Sequence, residues 1–212
     1  MSLYQLFSDC LHIPYIREGD VNYAFKREGE VLTLFFEDSQ GEADRRRNLD
    51  FPARAYQRMG RTVWYAHRGF LEAWREVEGV LAPVIADKSI RRIVTVGYSH
   101  GAAIAVLCHE YIWYHRPELR QALEGWGFGC PRVLWGFMGR DLKARWEYFT
   151  VVRNPDDIVT HLPPMVLGYT HVGRMLELSP RRSYSATAAH EAENILRELA
   201  RYEQESVKSP TE

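Results

Sequence analysis

The chain has 212 residues, 27 Lys and Arg against 28 Asp and Glu, a formal net charge of −1, 46% hydrophobic and 26% charged residues. This length and composition suit one globular domain over residues 1–212 and exclude a disordered or collagen-like chain; the near-zero charge gives no electrostatic footprint for nucleic acid or an anionic lipid surface. Three widely spaced cysteines (Cys10, Cys108, Cys130) fit neither a disulfide framework nor metal-ligand spacing.

The N-terminal ten residues lack a basic start and an apolar run of signal-peptide length, and no window reaches 18 consecutive apolar residues. A cytoplasmic chain with no stable membrane insertion is expected. The first clear unit is Val21 to Phe36, two strands joined by a polar turn around Gly29, the second almost wholly apolar from Val31. Glu37 to Asp50 is polar. Thr62 to Ala66 reads as a short strand. Gly69 to Asp87 reads as a helix with Phe70, Trp74, Val77 and Leu81 on one face, weakened near its end by Pro83.

The β-branched run Ile93 to Val96 is a strand that ends at Gly97, and helix-formers follow Gly101 to about His115 before Pro117. Trp126 to Pro131 is a strand and turn, Trp146 to Val152 a further strand, and Ala188 to Tyr202 an amphipathic helix carrying Ile195, Leu196 and Leu199; a frayed tail is expected over 204–212. Buried strands alternating with helices predict an α/β fold with a mainly parallel sheet, made mixed by the N-terminal antiparallel hairpin.

Chemistry enters at Gly97-Tyr98-Ser99-His100-Gly101, a G-x-S-x-G string with a strand running in and an alanine-rich helix running out. A nucleophile elbow needs this arrangement, because so sharp a turn tolerates only small residues two before and two after the serine. Ser99 then sits at a helix N-terminus, where the dipole favours developing negative charge. A serine hydroxyl needs a base to take its proton and a carboxylate to orient that base; in α/β-hydrolases these follow in the order acid, then His. Asp156 and Asp157 lie in the turn after the strand ending at Val152, and His161, His171 and His190 follow. The residues alone leave the choice between His171 and His190 open.

These segments together resemble the class 3 (fungal-type) lipases, a family of α/β-hydrolases, over Val31 to Tyr202. Val31 to Ser39 is similar to the family's strand leading into F-R-G-T/S, Arg47 to Phe51 to its W-x-x-N-L segment, and His67 to Phe70 to H-x-G-F. Gly97 to Ala103 resembles G-H-S-L-G-G-A, and Phe128 to Val133 resembles F-G-x-P-R-V. Asn154 to Pro164 resembles N-x-x-D-x-V-P-x-L-P-P, and Gly168 to Gly173 resembles G-Y-x-H-x-G. The resemblance implies Ser99 as nucleophile, Asp157 rather than Asp156 as the acid, and His190 as the base, with His171 as the family's structural histidine. It also implies an oxyanion hole built from the His100 backbone N–H and from Ser39.

Two departures stand out: Phe36-Glu37-Asp38-Ser39 replaces F-R-G-T/S, setting two carboxylates beside the oxyanion hole, and His100 stands where the family has Leu. The family's lid position, Gln40 to Asn48, offers no apolar face. The expectation is a serine carboxylester hydrolase acting on small-molecule acyl esters, soluble ones over interfacial fat, with no cofactor, no metal and no nucleic-acid partner. Trp135 and Met138 are candidates for the acyl pocket. A non-catalytic binding protein on the same fold, or an acyltransferase or thioesterase on the same triad, are the competing readings; oligomeric state is not readable.

Overall fold

The computed structural model describes residues 2–37, 52–58, 61–180 and 183–208. Among them, the chain runs α1 (Leu3–His12), β1 (Ile16–Glu18), β2 (Val21–Glu28), β3 (Val31–Glu37), β4 (Ala53–Arg58) and β5 (Arg61–His67). It continues through α2 (Arg68–Ile85), β6 (Arg92–Tyr98), α3 (His100–His115), β7 (Leu123–Phe128), β8 (Leu134–Trp135), α4 (Arg140–Lys143) and β9 (Phe149–Arg153). It ends with β10 (Tyr169–Thr170), β11 (Arg174–Glu177) and α5 (Ala192–Lys208).

The main sheet has the order β1-β2-β3-β6-β7-β9-β11. Its first two pairings are antiparallel, and β3–β6, β6–β7, β7–β9 and β9–β11 are parallel. The predicted hairpin is β2–β3, turning at Gly29, whose φ of 61° suits glycine. The pleat of β3 sorts its apolar run between two layers. Leu32, Leu34 and Phe36 face the layer of α2 and α3, whereas Phe35 faces the layer of α1 and α5. Both layers are apolar, so the strands between them are apolar on both faces.

The predicted helix face Phe70, Trp74, Val77 and Leu81 is buried in the first layer. Pro83 lies inside α2, which stops two residues later at Ile85. Two features are not anticipated by the sequence patterning. One is α1, which closes the second layer with Leu6, Phe7 and Cys10. The other is a small sheet of order β10-β8-β5-β4, whose Tyr56, Trp64, Ala66 and Leu134 join the first layer.

The last helix runs further than the predicted end at Tyr202: α5 continues to Lys208, and residues 209–212 of the expected tail lie outside the described residues. Glu203 anchors it by accepting from the Ser2 hydroxyl at 2.7 Å and the Tyr4 amide at 3.1 Å, which ties the last helix to the first.

Two histidines are held neutral by the packing. Burial pushes His109 down to about 3, and burial, with Arg132 and Arg153 nearby, pushes His171 down to about 4, from an ordinary 6.5. Between those values and 6.5 the unfolded chain binds protons that the folded chain does not, so stability falls as pH drops below about 6.5. Urea unfolding at pH 7, 6 and 5 should show this loss beginning above the carboxylate range, with a slope of up to about 2.7 kcal/mol per pH unit for two groups. Equal stabilities at pH 7 and 5 would mean these rings are not buried in the neutral form.

Candidate active site

β6 delivers the chain directly into Ser99, which has φ 55° and ψ −125°, the only non-glycine residue with positive φ among the described residues. Such a conformation costs about 1–3 kcal/mol and persists only where its surroundings enforce it. The enforcing contacts are backbone to backbone. A Cβ on Gly97 would lie 2.3 Å from the carbonyl oxygen of Gly101, and one on Gly101 would lie 2.3 Å from that of Phe36. β6, α3 and the end of β3 therefore meet with no side chain between them. The Ser99 amide donates to the Phe128 carbonyl at 2.9 Å, and the Ser99 carbonyl accepts from the Ala102 amide at 3.0 Å, which fixes the turn from both sides.

Ser99 is nearly buried, and its hydroxyl oxygen is 2.8 Å from Nε2 of His190. Nδ1 of the same ring is 2.8 Å from Oδ2 of Asp157, which is fully buried. A carboxylate can only accept, so Nδ1 carries the proton and the Nε2 lone pair faces the serine hydroxyl. The other Asp157 oxygen accepts the Val159 amide at 2.9 Å, and the Asp157 amide donates to the Asn154 carbonyl at 3.0 Å. The carboxylate is thus held by its own turn while one oxygen is reserved for the imidazole. His190 closes a short 3-10 turn, Ala188–His190, just before α5.

The other candidates lie elsewhere. Asp156 accepts the Tyr184 amide at 3.2 Å and does not meet His190. His171 donates through Nε2 to the Thr160 carbonyl at 2.8 Å, and Thr160 donates its hydroxyl to the Asp157 carbonyl at 2.8 Å. His171 therefore braces the acid turn from behind. His161 contacts the Pro155 carbonyl at 3.2 Å. His100 opens α3, where first-turn amides have no helical acceptor, and its buried ring packs 5.3 Å from that of Phe70.

Ser39, Asp38 and the segment Gln40 to Asn48 lie outside the described residues. Glu37 is half-buried, and desolvation raises its carboxyl pKa; its charge in turn helps to raise those of the Cys10 thiol and the Tyr15 hydroxyl. Met138 lines a cavity whose wall contains none of Ser99, Asp157 and His190, whereas Trp135 packs edge-on against Tyr65.

Two contributors escape reading by motif role. Gly129, with φ 58°, sits beneath the Asp157–His190 pair: a Cβ there would lie 2.8 Å from Cε1 of His190 and 3.2 Å from Oδ2 of Asp157. Its place inside F-G-x-P-R-V was the available signal. Tyr98 stacks on the His190 ring at 5.3 Å and donates its hydroxyl to the His190 carbonyl at 2.7 Å. It occupies an unspecified position of G-x-S-x-G, so no motif marks it.

All three cysteines are free and buried. Burial pushes the Cys10 thiol up to about 12 and raises those of Cys108 and Cys130, so none offers a thiolate nucleophile at neutral pH. Among the described residues no group of three His, Cys, Asp or Glu could hold a metal, and no helix is long and apolar enough to cross a membrane.

The family described as Lipase (class 3) matches residues 33–167. Secreted mono- and diacylglycerol lipase 1 of Fusarium solani is 34% identical over 112 residues, covering 50% of this chain and 32% of that protein. The lipase of Rhizomucor miehei is 30% identical over 117 residues, covering 50% of this chain and 31% of that one. The matched part thus spans about a third of the length of these relatives. The first is named as secreted, which lends no support to the cytoplasmic expectation.

Among solved structures, lipase II from Rhizopus niveus superposes with a TM-score of 0.66 at 22% identity, over 84% of this chain and 68% of its own. A triacylglycerol lipase whose catalytic centre is formed by a serine protease triad superposes at 0.63 and 22%, over 79% and 66%. At such identities the structural likeness establishes the architecture, a mixed, mostly parallel sheet flanked by helices, as that of an α/β-hydrolase. With more than half of its length matched by the family, the chain belongs to the class 3 lipases.

Proposed function

We propose that the protein is a serine hydrolase of carboxylic esters, with Ser99 as nucleophile, His190 as general base and acid, and Asp157 as the group that orients and stabilises the imidazole. One observation carries this reading: the unbroken line of 2.8 Å contacts from Ser99 Oγ to His190 Nε2 and from His190 Nδ1 to Asp157, built on a serine held at positive φ.

The chemistry follows from these positions. Ser99 Oγ attacks the ester carbonyl carbon as its proton passes to His190 Nε2, and the new imidazolium is stabilised by the buried Asp157 carboxylate. The tetrahedral oxyanion is stabilised by the His100 amide at the start of α3 and, in this proposal, by Ser39. Collapse breaks the carbon–oxygen bond to the alcohol, which leaves with the proton from His190. Water then attacks the acyl-serine with His190 again as base, releasing the carboxylic acid and restoring Ser99. An acyltransferase or thioesterase would share this acyl-enzyme and differ only in acceptor or leaving group.

Labelling with a fluorophosphonate tests the nucleophile: the native protein should be modified once, and Ser99→Ala not at all. A folded native protein that resists labelling would favour a non-catalytic binding protein. His190→Ala should lower kcat by about 10⁶. His171→Ala should leave kcat within about tenfold while losing roughly 1–3 kcal/mol of stability, since the Thr160 carbonyl loses its donor. The reverse pattern, read from steady-state kinetics and urea unfolding, would exchange the roles of the two histidines.

For the acyl substrate, we favour soluble short-to-medium esters, on the polar composition of Gln40 to Asn48. The Fusarium relative's name attaches to mono- and diacylglycerols, which form the water-insoluble arm of the panel. Rates on p-nitrophenyl esters should peak at short-to-medium chains. A steady rise to long chains, with a jump above micelle formation, would overturn this preference.

A further inference from the structure

A cavity of about 750 Å³ opens between the segment after β8, the end of α4 and the chain approaching β11. Its volume falls within the range of small-molecule sites. Met138, Ala144 and the fully buried Trp146 form its apolar part, and Phe137 stands at the mouth with 94% of its surface exposed. Arg140, Lys143 and Arg174 also line it, against one carboxylate, Glu147. This is a local surplus of positive charge in a chain whose net charge is −1.

Many surface cations of this chain meet carboxylates, as Arg27 meets Asp87, Arg54 meets Glu72 and Lys88 meets Glu118. Among the described residues, Arg140, Lys143 and Arg174 make no ion pair; Arg174 lies only 6.0 Å from the centre of the Tyr148 ring. His171, also in the wall, stays neutral at ordinary pH and adds no charge. Apolar walls crowned by unpaired cations suit one kind of ligand, an alkyl chain that ends in an anion. A small hydrated anion would find no partner for its other faces on Met138 and Trp146. A neutral chain would leave the cations unanswered.

We propose that this cavity is a second binding site, separate from Ser99, Asp157 and His190, for the carboxylate of a medium-length alkyl chain. Such a ligand belongs to the chemical class released by the ester hydrolysis proposed above. The argument for the site does not require that hydrolysis.

The test is calorimetry on the full chain carrying Ser99→Ala, titrated with octanoate, decanoate and dodecanoate below their micelle concentrations. Binding should be one to one and should tighten by about three- to fourfold per added methylene. Arg140→Glu combined with Arg174→Glu should weaken dodecanoate binding at least tenfold and decanol binding less than twofold. Ala144→Trp, which narrows the cavity, should weaken both at least tenfold. Added to the otherwise native chain, these changes should leave the rate on p-nitrophenyl butyrate and the melting temperature unchanged.

Absence of dodecanoate binding, or binding that persists unchanged through the charge reversals and the narrowed cavity, would overturn the proposal. Capture by phosphatidylglycerol vesicles without any binding of monomeric dodecanoate would also overturn it, in favour of a lipid surface. An inactive native chain that still binds dodecanoate in this way would defeat the hydrolase reading and leave the site standing.

Discussion

The close crossing of three backbones at Gly97, Gly101 and Phe36 is the constraint on which the site depends. With no Cβ at either glycine, β6 turns sharply into α3 against the end of β3, and Ser99 is forced to a φ of 55°. A serine in relaxed extended or helical backbone could not stand clear of the sheet edge at the start of a helix. The strain at Ser99 is offset by the packing that enforces it, since Val96 behind it and Ala102 to Ala105 after it are buried. The same crossing sets Glu37, the last residue of β3, beside the elbow.

Around that fixed point, the partners of Ser99 arrive from separate parts of the chain, and each is braced by its own support. The turn after β9 holds Asp157 through the Val159 amide and the Asn154 carbonyl, with Thr160 and His171 behind it. The 3-10 turn before α5 holds His190, whose carbonyl is gripped by Tyr98 and whose ring lies over the space that Gly129 leaves free. Support of this kind keeps two 2.8 Å contacts aligned without relying on the contacts themselves. It also explains the size of the second layer. α1 and α5 pack against each other and against Phe35, Val96 and Phe128, and so fix the helix that follows His190.

How far the sequence carried can be followed element by element. The hairpin turning at Gly29, α2 and its buried face, β6, the elbow and α3 were legible because each depends on short-range periodicity or on a turn with a steric signature. α1 was not, because a helix of only ten residues is marginal on its own and is held by the tertiary packing of Leu6, Phe7 and Cys10. The small sheet was not, because β8 and β10 are two residues long and acquire strand geometry only by pairing with each other and with β5. The extent of α5 beyond Tyr202 was not legible because a polar stretch carries no apolar periodicity; Glu203 is held there by Ser2 and Tyr4, contacts set by the tertiary fold.

For the site, the sequence by itself determined the local geometry of Ser99: two glycines at fixed offsets, a β-branched strand before them and a helix-former after. Those are local sterics, and local sterics are written in consecutive residues. It could not decide between His171 and His190 from the residues alone, because both follow the acid and both are flanked by plausible turns; the family resemblance favoured His190. Only the tertiary structure set His190 at 2.8 Å from both Ser99 and Asp157 and turned His171 toward Thr160. Likewise, only the fold gathered Arg140, Lys143 and Arg174 around one cavity. Which side chains meet across 33 or 91 residues is fixed by how layers pack, and the sheet order that sets the packing is a property of the whole chain.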